Sequence, residues 1–330
     1  MSLVWTESFV GWSTPVGIYT APGSPGAPIV GGGPNGQNTY YLEGSYTLPK
    51  VLGSPPATVG VGVRWKTNKN GNHFILLQDT GAEQVGLAID AAGRIQAYRG
   101  ATLLGQSAPG TIVFGNWYYI TVDATIHATA GSVLVAVDHV YVLNLAGVNT
   151  QATAHAYVTT VVLSGSYQDY VCDWYITDNV VAGAEPVATI GDVRIVALRP
   201  SGVGSNAAFT PSAGANWQNV DDAPVPDDDA TYNASATPTD LDSFVTPGLG
   251  AVVANTIPAV FVKSYARKDD AGVRTLAGFV KLGASTETAA GTPLSAGYAW
   301  QADKFPLDPA GAAWTKANVN AAEFGYGLIA

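Results

Sequence analysis

Apolar and polar residues alternate along this chain with a period of two. Val59, Val61, Val63 and Trp65 interleave with Gly60, Gly62, Arg64 and Lys66, and Val85, Leu87, Ile89 and then Val133, Val135, Val137 repeat the pattern. A strand puts every second side chain on one face, so each run predicts a strand with one buried side. Further strands are predicted at 74–77, 94–99, 117–126, 132–137, 140–145, 157–163, 171–177, 192–198, 259–266 and 273–281. Asn70-Gly71, Ala92-Gly93 and Asp270-Ala271-Gly272 punctuate the runs, each offering a glycine where a hairpin requires positive φ. Helical periodicity is nearly missing. One helix is predicted at 316–324, with Thr315 as its cap and Gly325 as its stop.

Many short strands joined by Gly-, Pro- and Asn-rich turns predict an all-β chain. Its 330 residues fit two domains. A strand run ends and another opens on either side of Glu185 and Pro186, so the boundary is expected there. The first sandwich then covers 1–187, and a second, smaller β-sandwich domain covers 188–330 and carries the short C-terminal helix. Two segments break the rhythm. Residues 21–38, with four prolines and Gly31-Gly32-Gly33, predict an exposed loop, and residues 200–250, rich in Pro, Asp, Ala and Ser, predict a long acidic loop.

Composition changes the picture of the surface. Only 12% of residues are charged, against about 25% in ordinary domains, so Thr, Ser, Asn and Gly must cover much of it. Fifteen basic and 25 acidic residues leave a net charge of −10. The basic residues are scattered, and Arg267-Lys268 runs straight into Asp269-Asp270, so no stripe exists to hold phosphates and nucleic acid is excluded as a partner. Cys172 is the single cysteine, which rules out an internal disulfide framework and a C-x-x-C zinc site. Its place in an apolar strand predicts a buried thiol. The N-terminus lacks a basic region and an apolar run of signal-peptide length, and no stretch is apolar enough to span a bilayer. The expectation is cytoplasmic synthesis, no membrane insertion, and exit by release of assembled particles.

Candidate chemistry is sparse. His73, His127, His139 and His155 show no metal spacing, and neither a Gly-x-Ser-x-Gly elbow nor a phosphate loop occurs. Asp123, Asp138 and Asp173 lie on or beside strands and are expected to face solvent or make turns. Asp221, Asp222, Asp227, Asp228 and Asp229 form the one local charge cluster. Such a set could wrap Ca²⁺, which takes about six to eight oxygens; the alternative is a solvated loop whose carboxylates cap turns or meet basic residues of a neighbouring subunit. Eight Trp and 16 Tyr are many for this length. Rings of this kind stack on sugars or anchor subunit contacts when exposed, and fill the core when not. Trp5, Trp12, Trp217, Trp300 and Trp314 fall in terminal or loop segments. Of these, Trp12, Trp217, Trp300 and Trp314 are the candidate binding or interface residues.

Phe74-Ile-Leu-Leu-Gln-Asp, Val85-Gly-Leu-Ala-Ile-Asp with Gly93-Arg-Ile-Gln-Ala-Tyr, Asn116-Trp-Tyr-Tyr-Ile-Thr-Val and Gly131-Ser-Val-Leu-Val-Ala-Val-Asp form one series. It resembles the central strands of laminin-G-like, or concanavalin-A-like, jelly-roll domains. The glucanase branch of that fold carries Glu-x-Asp-x-x-Glu on one strand, and no such motif occurs here. Downstream, Gly191-Asp-Val-Arg-Ile-Val-Ala-Leu-Arg-Pro, the block around Asn219-Val-Asp-Asp-Ala-Pro and Ser264-Tyr-Ala-Arg-Lys-Asp-Asp-Ala-Gly are similar to blocks that recur in tailed-bacteriophage virion proteins. That resemblance implies a non-enzymatic structural component of the virion, on the tail or its fibres. The implied partners are other virion proteins, further copies of the chain in a homo-oligomer such as a trimer, and a host-surface glycan. The alternatives are a capsid (head) decoration protein and a host-glycan-binding module.

Overall fold

The computed structural model describes residues 2–7, 28–29, 34, 39–42, 46–165, 169–178, 190–222, 226–252 and 256–330. Trp12, Glu185, Pro186 and most of 21–38 lie outside the described residues. The chain is nearly all β and divides into two compact units, Met1–Ile195 and Val196–Ala330.

The first unit holds β1 (Ser2–Glu7), β2 (Pro28–Ile29), β3 (Thr39–Leu42), β4 (Tyr46–Val51), β5 (Thr58–Lys66), β6 (His73–Asp79) and β7 (Ala82–Ile89). It continues with β8 (Ile95–Arg99), β9 (Thr102–Gln106), β10 (Trp117–Thr125), β11 (Gly131–Val137), β12 (Val140–Val148), β13 (Thr160–Gly165) and β14 (Asp169–Asp178). One antiparallel sheet runs β12-β11-β10-β5-β14-β3-β2, with β1 also on β14; the other runs β4-β13-β6-β7-β8-β9. The unit's first and last strands lie side by side and the sheets stack, which makes a jelly-roll sandwich. The predicted alternation fills its core: Val59, Val61, Val63 and Trp65 meet Ile75, Leu77, Leu87 and Leu163, all buried. Trp65 and Trp174 are the largest fully buried side chains, and Trp65 packs 5.1 Å from the Phe74 ring.

Several expectations are corrected. Residues 192–198 form no strand. Of the three glycine turns, only Ala92-Gly93 closes a hairpin, β7–β8, with Gly93 at φ +68°. Asn70-Gly71 has the positive φ, +102° at Gly71, but carries the chain from one sheet to the other. Between the predicted strands at 132–137 and 140–145, Asp138 makes a turn as expected: with His139 it turns β11 into β12 without a glycine, at φ +46° and +68°. The Asp138 carboxylate accepts the Tyr119 N–H at 2.7 Å, which offsets part of the strain at that residue. Among the described residues His139 gains no such bond, so His139→Gly is expected to stabilise the unit by roughly 1 kcal/mol, read as a higher denaturation midpoint.

The second unit holds β15 (Gly202–Ala207), β16 (Thr210–Pro211), β17 (Asn233–Ala234), β18 (Leu241–Val245), β19 (Val260–Ala266) and β20 (Thr275–Leu282). β21 (Ser285–Thr288), β22 (Thr292–Pro293), β23 (Ala299–Phe305), α1 (Lys316–Ala321) and β24 (Glu323–Leu328) complete it. Its main sheet runs β15-β18-β24-β20-β21, with β22 on β20, and β19 pairs with β23 in a separate ribbon. The two layers and α1 close on Val280, Phe305, Trp314, Val319 and Ala322. Residues 200–250, expected as one loop, thus supply β15 and β18 to the main sheet. Asp270-Ala271-Gly272 joins the two layers and is not a hairpin turn. Thr315 caps α1 as predicted, its hydroxyl oxygen accepting the Asn318 N–H at 3.1 Å. The helix ends earlier than expected, at Ala321, and Gly325 sits inside β24. A Cβ there would stand 1.9 Å from the Asp242 carbonyl oxygen, so glycine serves strand pairing and not helix termination.

Candidate functional site

The outer face of the larger sheet in the first unit carries several polar and ionisable groups withdrawn from solvent, among them Tyr119, Thr121, Asp173, Tyr175 and Thr177. Opposite the core, β10 presents Trp117, Tyr119, Thr121 and Asp123; β5 presents Gly60, Gly62, Arg64 and Lys66; β14 presents Tyr170, Cys172, Tyr175 and Thr177. The two glycines are slots. A Cβ on Gly62 would lie 2.1 Å from the Tyr175 ring, and one on Gly60 2.2 Å from the Thr177 hydroxyl and 2.8 Å from the Asp123 carboxylate. Tyr119 and Tyr175 are buried, their rings stacked at 22°.

At the middle of this face β14 bulges between Cys172 and Tyr175, and Asp173 takes φ +50°. Its carboxylate, expected to face solvent or make a turn, is fully buried. It stands 3.6 Å from the Arg64 guanidinium and accepts the Ile195 N–H at 3.0 Å. Arg64 also pairs with Asp192 and lies over the Tyr119 ring at 5.1 Å, while the Tyr119 hydroxyl donates to the Asp173 carbonyl. Residues 190–195 are therefore tied across the face by side chains. That is why 192–198 is not a strand: the Ile195 amide is spent on a carboxylate and not on a neighbouring strand.

Burial sets the ionisation of this face. It pushes Asp173 up to about 6, against the pull of the Ile195 N–H and Arg64, and Asp123 up to about 7. It also raises the Tyr119 and Tyr175 hydroxyls and the Cys172 thiol, which is buried as predicted. Carboxyls that titrate near neutrality mark functional sites more often than not when they share a cleft. These two do not. Asp123 lies opposite Gly60 while Asp173 is near the level of Arg64 on the far side of β5. Two strand spacings and three to four residues along the sheet put them roughly 15 Å apart, beyond the ~5–9.5 Å of a glycosidase pair. At one end of the face, Trp117 and Tyr170 are half-buried with ring centres 6.3 Å apart, and Lys66 Nζ lies 5.5 Å from the Tyr170 ring. The sequence signal for this group is aromatic residues recurring on the polar side of the two-residue pattern.

The residues singled out by sequence are dispersed in the second unit. The Arg199 guanidinium donates to the backbone carbonyls of Asp221 and Asp222. The Asp227 carboxylate accepts the Thr231 N–H and hydroxyl at 3.0 and 2.9 Å, a turn cap. Asp228, at φ +57°, offers its carbonyl to the Tyr298 hydroxyl. The Asp229 carboxylate takes Arg267 and the Tyr298 hydroxyl, each at 2.9 Å, and hydrogen bonding from Arg267 holds it below the usual carboxylate range. The five carboxylates do not converge, and among the described residues no group of three or more His, Cys, Asp or Glu is placed to hold a metal ion.

Trp314 is 3% exposed and donates its indole N–H to the Phe305 carbonyl at 2.9 Å, so it is a core residue and not a contact residue. Trp217 is half-buried in a 3₁₀ turn, Asn216–Asn219. Trp300 is half-buried on β23, 5.0 Å from the Tyr265 ring, which stacks in turn on Tyr298; Arg267 stands 5.3 Å from the centre of Tyr298. These rings spend part of their faces on each other.

No protein-family model matches the chain, and no curated protein does. Among solved structures, it is similar to the alginate lyase Aly36B at 12% identity and TM-score 0.35, over 54% of this chain and 98% of that one. It is also similar to domain 4 of AbnA, a GH43 extracellular arabinanase from Geobacillus stearothermophilus, at 13% identity and TM-score 0.37, over 54% and 92%. The Caenorhabditis elegans galectin LEC-6 matches at 10% identity and TM-score 0.30, over 42% and 95%.

Proposed function

We propose that this chain is a non-enzymatic, homo-oligomeric structural component of a tailed-phage virion, on the tail or its fibres. The observation that carries the reading is the joint occurrence of the blocks starting at Gly191, Asn219 and Ser264, which resemble virion proteins as a set. Two features support it. The raised carboxyls stand too far apart to act on one bond, and the most polar part of the face is tied beneath residues 190–195. Antibody labelling of purified particles with quantitative mass spectrometry tests the proposal. Label on the tail at a few dozen copies or fewer is expected; label across the head at hundreds of copies would make the chain a decoration protein. Absence from particles overturns the reading.

Host-glycan binding is the second reading, favoured by the half-buried Trp117, Tyr170 and Lys66 at the end of the sheet face. Aromatic rings beside a donor suit the apolar and hydroxyl faces of a sugar. On a glycan array the intact protein is expected to retain a ligand that Trp117→Ala loses at least tenfold. A blank array removes this reading and leaves the first untouched.

A further inference from the structure

Both sheets of the first unit end on the same side of the sandwich, one in β12 and the other in β9. Gly105 of β9 lies directly against the Leu145 side chain of β12. Residues 100–122 and 140–168, which include both strands and the loops beside them, contain no Asp, Glu, Lys or Arg. Natural edge strands are usually guarded by charges, lysine above all, or by proline. Neither β9 (Thr-Leu-Leu-Gly-Gln) nor β12 (Val-Tyr-Val-Leu-Asn-Leu-Ala-Gly-Val) has either.

Apolar exposure falls largely in the same stretches of chain. Of the five exposed large hydrophobics described in the first unit, four fall in these stretches: Leu103 at 46%, Val113 at 54%, Val140 at 64% and Tyr141 at 58%. Arg99, Asp138 and His139 flank these stretches in sequence. β12 spans about 30 Å, and the two-sheet side is roughly 20–25 Å deep with its side chains. That is close to the ~800 Å² each partner gives to a standard interface.

We propose that this side is where two copies of the chain associate about a two-fold axis. The charge distribution selects the partner. At −10, two copies repel over most of their surface, and the side without charge is where they approach without like-charge contact. A patch that meets its own copy forms a closed, isologous pair. The pairing is through side chains and not a continued sheet, because bulges in the β11–β12 register, at Val135/Ala136 and Gly131/Ser132, bend the free edge. The inference deepens the homo-oligomeric part of the proposed function and does not depend on where in a particle the chain resides.

The test is the mass of the purified 330-residue chain by light scattering after gel filtration, at tens of micromolar. The expected result is 68 kDa, twice the 34.0 kDa chain. Tyr141→Lys and, independently, Leu103→Lys should each give the monomer mass with an unchanged circular dichroism spectrum, since both side chains are exposed. Hydrogen exchange of 102–106 and 140–148 should be slower in the wild type than in either variant. A monomeric wild type overturns the proposal. So does a trimer, or a dimer that both variants leave intact. Misfolding of one variant leaves the decision to the other and to the exchange map.

Discussion

Gly62→Ala is expected to destabilise the first unit by about 1–3 kcal/mol or more, although it adds a single methyl group. The new Cβ would stand 2.1 Å from the Tyr175 ring, and neither partner can yield cheaply. Tyr175 is 2% exposed, stacked on Tyr119, and held in the strand that β5 pairs with. Gly62 lies in the middle of β5, between β10 and β14, so its backbone cannot shift without disturbing two ladders. Chemical denaturation followed by hydrogen exchange of β5 and β14 measures the effect in this unit alone. Gly53→Ala is the control, because nothing lies within 4 Å of its added Cβ. Tyr175→Ala opens the space from the other side. It costs stability by itself, about 3–5 kcal/mol for a buried ring, but the double variant should lose less than the sum. Strict additivity, or a Gly62→Ala protein as stable as the wild type, would show that the ring does not occupy the slot.

The same glycines show what the sequence made legible and what it hid. Alternation from Thr58 to Lys66 placed Val59, Val61, Val63 and Trp65 on the core side correctly, because a two-residue period is local. It also placed Gly60 and Gly62 on the other face. It could not reveal that this face is covered, since the covering groups come from β14 and from residues 190–195, more than a hundred residues away. Asn70-Gly71 and Asp270-Ala271-Gly272 carry good turn chemistry, yet a turn signal reports a change of direction and not which strand pairs next. Asp138-His139 closes a hairpin that the usual glycine signal does not announce. Thr315 was readable as a cap because its partner, the Asn318 N–H, is three residues on.

Site residues were harder to read for the same reason. The acidic run from Asp221 to Asp229 looks like a cluster only along the chain. In the fold Asp227 turns back on Thr231 and Asp229 reaches Arg267 and Tyr298. Trp314 follows a Gly/Ala-rich stretch that reads as loop, but an antiparallel bridge to Ile257 and its bond to Phe305 draw it into the core. Asp173 sits in an apolar strand, where a buried carboxylate is costly unless paired. Arg64 and the Ile195 amide, its partners, are remote in sequence.

Raising the pH from 5 to 8 is expected to weaken the first unit. Asp123 and Asp173 both have folded-state values above the ordinary carboxylate value of 3.8, at about 7 and about 6, with burial the largest cause for each. A carboxyl that binds its proton more tightly in the folded state contributes stability that is fully present below about pH 4. That contribution is lost as the pH climbs through the folded-state value. The decline should therefore run from pH 4 to just above 7. For Asp123 the full shift corresponds to roughly 4 kcal/mol, an upper figure for a side chain with some solvent access. Asp123→Asn separates the two groups. The amide keeps the shape and carries no charge, so the variant should match the wild type near pH 4 and exceed it by a few kcal/mol at pH 8. The part of the slope that remains then belongs to Asp173, whose charge Arg64 partly compensates. A wild type that gains stability between pH 5 and 8, or an Asp123→Asn protein with an unchanged slope, would mean that the Asp123 carboxylate is solvated and that the slot over Gly60 is open to water.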